Sequence, residues 1–267
     1  MPETFLILLA GGIMLAAAIS SPQQVTLNWL RLCGILALVI AALSMFFYFT
    51  RPLDAHPALL SPLMRNVQVG LLIATVAFIL GQLAFVQVAL RRTQRALAAG
   101  AFFVAVLAGA NLLHEMMIPL GTAMKYPPKL WSMVIQTAAV GAIAALSGPA
   151  LMDMLLGHAY LTASRMTIAP FRRLNLFVAA MLFLRADLAA AATVAMPREV
   201  WQRDGLFVLT RWLVGLLVPA VFVYMAHDCI KRRSTQSATG ILYVAGVLIF
   251  VGEIVALYLV RSTGLPF

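Results

Sequence analysis

"ATGILYVAGVLIFVGEIVALYLV", Ala238 to Val260, decides the fold: it holds one Asp, Glu, Lys or Arg side chain, Glu253, in an otherwise apolar run. At about 1.5 Å of rise per residue, a helix of this length crosses the roughly 30 Å hydrocarbon core of a bilayer. The stretch therefore predicts a transmembrane helix that carries a carboxylate within the membrane.

Working outward, seven more runs of similar character occupy residues 4–20, 32–48, 67–90, 96–118, 130–160, 174–195 and 206–227. The 267 residues are 63% hydrophobic and 10% charged with mean hydropathy +0.97, against roughly 25% charged in soluble domains. The connections, among them "RPLDAHP", "KYPPK", "MPREVWQRDG" and "KRRSTQS", are short and punctuated by proline or charge, which leaves no room for a soluble domain. The expectation is an all-α polytopic membrane protein, one domain over residues 1–267 with eight transmembrane helices. The first run reads as a helix rather than a signal peptide, because "MPET" carries Glu3 and no Lys or Arg. The formal charge of +10 fits loop cations that fix topology and does not argue for nucleic acid. Cys33 and Cys229 have no partner spacing for zinc or a disulfide framework.

Orientation follows from counting cations by side. Arg31, Arg91, Arg92, Arg95, Arg165, Arg172, Arg173, Lys231, Arg232 and Arg233 follow the odd-numbered runs, ten against the seven of Arg51, Arg65, Lys125, Lys129, Arg198, Arg203 and Arg261. The compact clusters "RRTQR", "FRR" and "KRR" all fall on the first side. The positive-inside rule makes that side cytoplasmic and sends both termini outward, in a bacterial inner membrane.

Depth then follows from helical rise. Arg185 and Asp187, in "FLRADLAAAA", lie about 18 and 21 Å from the cytoplasmic boundary, Glu253 about 22 Å, and His114 and Glu115 about 27 Å. Arg211 and Gln136 lie some 9 Å below the outer surface. Charges at such depth cost about 2.5 to 3.5 kcal/mol on insertion scales and normally face partners or a watery cavity. Arg185 and Asp187 are about 200° apart around a helix, so each needs a partner on another helix. Depth matches Glu253 to Arg185 and Arg211 to Asp187, while Asn111, His114 and Glu115 share one face of the fourth run. Carboxylates, cations and an imidazole in one outer layer form a candidate site for protons or a polar headgroup; interhelical ion pairs that only fix packing would give the same pattern.

A smaller set lies toward the cytoplasm: Asp153 and His158 in "LMDMLLGHAYL" below Gly148 and Pro149, and His227 with Asp228 in "YMAHDCIKRR". A haem b held by His158 and His227 competes here with contact to lipid headgroups or a partner, which helix-end position and basic neighbours suit better. Walker loops, HExxH and GxSxG are absent from the sequence, so nucleotide-driven pumping and hydrolysis lack their equipment.

The eight short-looped helices with both ends outside, the outer polar layer, and a final helix with Gly252 and Glu253 ahead of Arg261 resemble the membrane anchor subunits of molybdopterin oxidoreductase complexes, of the dimethyl-sulfoxide-reductase and polysulfide-reductase (NrfD-like) type. That resemblance implies quinone binding near the outer face, no haem, and electron exchange with an iron-sulfur partner.

The expected function is thus an integral subunit of a bacterial respiratory or other electron-transfer complex, with a quinone or quinol site formed by His114, Glu115, Gln136, Arg185, Asp187, Arg211 and Glu253. Its expected partners are the other subunits of the complex and membrane lipids. Two alternatives come from other classes: a small-solute or proton-coupled transporter using Asp187 and Glu253, and a scaffold subunit whose charges lock the bundle.

Overall fold

A computed structural model describes residues 1–20, 25–51, 62–87, 90–117, 130–162 and 167–267. The described residues form nine α-helices and one π-helical turn, with no strand. They run α1 Pro2–Ile19, α2 Leu27–Phe49, α3 Pro62–Gln87, α4 Arg91–Met117, α5 Leu130–Thr162, α6 Ala169–Ala195, α7 Arg198–Trp212, the π turn Leu213–Leu217, α8 Val218–Lys231 and α9 Thr235–Thr263. Because α7, the π turn and α8 form one span, eight spans are long and apolar enough to cross a membrane. Asp54 and His56 of "RPLDAHP", with Lys125, Lys129 and Arg165, fall outside the described residues.

Two spans make the centre. Of its most apolar stretch, α5 buries 78% and α1 67%, whereas α3 and α6 bury 28%. The first run is therefore a core helix, packed against α2, α4 and α5. Close approach is possible because Gly12 of α1 faces Gly148 of α5 backbone to backbone: a Cβ built on Gly12 would sit 2.9 Å from the Gly148 Cα. Small residues at crossings let helices in lipid gain van der Waals contact that the hydrophobic effect does not supply there. The outer helices show large apolar side chains such as Val39, Phe46, Ile73, Phe103 and Val247 on their exposed faces, as a lipid-facing surface requires.

Two polar links also tie neighbours: Ser44 Oγ donates to the Glu3 carbonyl at 2.7 Å, and Gln82 Nε2 to the Leu30 carbonyl at 3.4 Å. Helix ends follow local chemistry. Thr26 caps α2 by accepting from the Trp29 N–H at 3.3 Å, and Gly264, at φ 73°, closes α9 in the left-handed conformation that favours glycine.

The seventh span departs from expectation twice. It starts at Arg198, eight residues before the apolar run, because "REVWQRDG" continues the helix as an amphipathic turn with Asp204 buried and bonded to Arg203 and Tyr258. Its apolar part holds the π turn Leu213–Leu217. Pro219 has no N–H to offer the carbonyl four residues back and crowds it. Val218 answers by donating five residues back, to Leu213, and the span continues without breaking.

Met1, the Arg51 end of α2 and the Arg261 end of α9 meet at one end of the bundle. Burial, then Arg51 and Arg261, pull the Met1 ammonium down to about 5, and Arg51 pairs with the buried Glu3. Both chain ends thus lie at the same end of the bundle.

Candidate functional site

The expected outer layer resolves into two groups with no residue in common. The first is a charge triad. Arg185 of α6 reaches Glu253 of α9 through Nε at 3.1 Å and Nη2 at 2.8 Å, and Arg211 at the end of α7 donates from Nη1 to the other carboxylate oxygen at 2.9 Å. All three side chains are fully buried. Helix geometry explains the approach: a Cβ on Gly252, one residue before Glu253, would come within 2.2 Å of the Gly215 Cα in the π turn. That glycine contact brings the two spans close enough for Arg211 to reach Glu253.

The pairing of Arg185 with Glu253 is as depth predicted. The pairing of Arg211 with Asp187 is not: Arg211 goes to Glu253, and Asp187 lies exposed on the far side of α6 from Arg185. The same 200° separation that forbids their mutual pairing turns Asp187 outward. One carboxylate therefore serves two guanidiniums, and Arg185 Nη1 with Arg211 Nε and Nη2 are buried without an acceptor among the described residues. The triad lines neither of the cavities described below.

The second group is open. Asn111 of α4 donates from Nδ2 to Gln68 Oε1 of α3 at 2.8 Å and to Glu115 Oε1 one turn on at 3.2 Å. Gln136 of α5 donates from Nε2 to the Gly264 carbonyl at 3.3 Å, which leaves its own carbonyl oxygen as an acceptor. Asn111, His114, Gln136 and Thr137 line a cavity of about 200 Å³, with Met64, Leu113 and Val140 as its apolar wall. Beside it, Gln68 Nε2 and Glu115 Oε2 are buried without a hydrogen-bond partner among the described residues. Burial lowers Arg51 from its ordinary value while Glu115 opposes the shift, so the Glu3–Arg51 pair belongs to the same electrostatic neighbourhood.

Asn111 entered the sequence reading only as a companion of His114 and Glu115, and Gln68 was missed. Its signal is weak: a glutamine in an apolar run is uncharged, and only its facing helix makes it a partner.

Toward the other end, Asn175 of α6 donates from Nδ2 to Asp153 Oδ2 of α5 at 3.1 Å, and His227 Nδ1 of α8 lies 3.2 Å from Asn175 Oδ1. Asp153 and Asn175 are fully buried. Sequence reasoning grouped Asp153 and His227 in one set toward the cytoplasm but missed Asn175, which joins them. His158 is exposed; five residues beyond Asp153, it lies about 140° around α5 from the face that meets Asn175. Among the described residues, no three His, Cys, Asp or Glu side chains gather to hold a metal ion.

Comparison with protein-family models, with curated proteins and with solved structures yielded no match.

Proposed function

We propose that this chain is an integral membrane subunit of a bacterial electron-transfer complex, with both termini outside, and that it holds a quinone or quinol headgroup in the cavity between α3, α4 and α5. The observation that carries this reading is the meeting of His114, Asn111 and Gln136 around one 200 Å³ space with two orphaned buried polar atoms, Gln68 Nε2 and Glu115 Oε2, beside it. The donor and acceptor set fits a ring bearing oxygen at both ends: imidazole at one side, carboxamide oxygens at another, apolar walls between. A quinol bound there would supply two electrons, accepted by a redox partner subunit, and release two protons.

The chain's own residues handle position and protons. Gln136, anchored by its amide to Gly264, offers its oxygen to a hydroxyl. Asn111 spends its amide on Gln68 and Glu115, so it fixes the carboxylate's place and carries no proton itself. His114 is the group that takes the first proton from a hydroxyl in the cavity, and Glu115, held by Asn111, is the next residue on α4.

A second reading is favoured by the triad. An ion cluster enclosed on every side is a packing device, so the chain also suits a scaffold role in the same complex. The transporter reading gains no support, because Glu253 is tied by two guanidiniums and Asp187 faces outward.

The test is to purify the full chain in lipid nanodiscs, extract and quantify quinone, and titrate a short-chain quinone analogue. The reading expects about one site per chain, weakened about ten-fold in His114→Leu at unchanged melting temperature. A wild-type chain that neither carries quinone nor binds the analogue overturns it.

A further inference from the structure

Along the outside of the bundle, α6 and α8 leave a groove of about 240 Å³. Leu176, Ala179 and Phe183 form one wall, and Ala220, Tyr224 and His227 the other. Alanines at the facing positions keep the channel open, and its lining from Leu176 to Ala186 extends about 15 Å, the depth of one leaflet's acyl chains. One end is polar. Asn175 is held by Asp153, and because the Asn175 oxygen can only accept, the His227 Nδ1–H donates to it and Nε2 is left to accept from a ligand.

Both stripes continue past that end into cations. Arg172 stands one turn before Leu176 on α6, and Lys231 one turn after His227 on α8; both are exposed, and no side-chain hydrogen bond or ion pair joins either to another described residue. They act electrostatically on His227 together with Asp228, whose own charge is matched by Arg232 at 3.0 Å. The groove is thus apolar over a leaflet's depth and ends in two unmatched positive charges beside a hydrogen-bond acceptor.

We propose that this groove binds one anionic phospholipid, an acyl chain lying between α6 and α8, the phosphate between Arg172 and Lys231, and a headgroup hydroxyl on His227 Nε2. Basic pockets between membrane helices select such headgroups, and each cation adds to the preference for an anionic lipid over a zwitterionic one. The site is independent of the α3–α5 cavity and shares no residue with it.

The experiment is native mass spectrometry of the delipidated full chain offered equal amounts of dioleoyl phosphatidylglycerol and dioleoyl phosphatidylcholine. The wild type retains one phosphatidylglycerol with a preference of about ten-fold or more. Arg172→Gln with Lys231→Gln brings that ratio toward one, and Ala220→Leu, which fills the channel, lowers retention of both lipids. Both cations are exposed, so the charge variant keeps its lipid-free melting temperature and decides the matter even where Ala220→Leu fails to fold. Equal retention by the wild type, an unchanged ratio in the charge variant, or displacement of the lipid by inorganic phosphate alone overturns the proposal. So does a groove occupied by a second copy of the chain, read as a dimer without lipid.

Discussion

The Arg185–Glu253–Arg211 triad and the Asn111–Glu115 network use similar chemistry, a buried carboxylate held by nitrogen donors from other side chains, and differ in access. In the triad the donors are charged, come from two other spans, and are sealed by the Gly215–Gly252 contact. In the network the donor is a neutral amide, and the neighbouring imidazole and carboxamides line a cavity. Buried charge without access fixes helices; a buried carboxyl group beside a cavity leaves polar atoms for a ligand. The difference separates the residues that hold this bundle together from those proposed to do its chemistry.

The largest expected effect comes from breaking the triad at its shared member. Glu253→Leu strands two guanidiniums at membrane depth, and breaking even one buried pair costs about 3 to 5 kcal/mol; yield and melting temperature should fall sharply. Because Arg211 also depends on Glu253, the double variant Arg185→Leu, Glu253→Leu should recover only part of the loss, and adding Arg211→Leu should recover most of it. Full recovery in the double variant would remove Arg211 from the cluster. Such coupled sites are non-additive, so melting temperatures of the whole cycle carry the information.

Next comes the seal. Gly252→Ala sets a methyl group against the Gly215 backbone, and overpacking of this kind costs about 1 to 3 kcal/mol. A variant that melts like the wild type would show that the spans are not in contact there.

The network should respond in the opposite sense. His114→Leu and Gln136→Leu should leave the melting temperature nearly unchanged, yet each should weaken binding of a quinone analogue by about ten-fold, roughly the loss of one hydrogen bond in a water-poor site. The smallest effect belongs to Asp187→Asn. Its side chain is exposed on α6, so the isolated chain should melt as before, and a marked loss would show that it has a partner within the bundle.

How much was legible in the sequence follows the same division. Apolar length announces a span whatever its neighbours, so all eight were readable, as was the Arg185–Glu253 pair, since full charges at matched depth have few partners to choose from. Asn175 and Gln68 were not readable as network members, because a neutral amide signals nothing until the facing helix is known. The π turn was hidden for another reason: Pro219 marks a break in the hydrogen-bond ladder, but how the chain repairs it depends on the packing of Gly215 against Gly252. The orientation of Arg211 follows from that contact, which is why depth alone assigned it to Asp187.

The central claim, that the open network rather than the sealed triad meets the quinone, is tested most directly by photo-labelling the nanodisc-embedded chain with an azidoquinone and mapping the labelled peptides. Label on the α4 and α5 segments around His114 and Gln136, removed by excess unlabelled quinone, is the predicted result. Competable label confined to α6, the π turn and α9 around Arg185, Gly215 and Glu253 would contradict it.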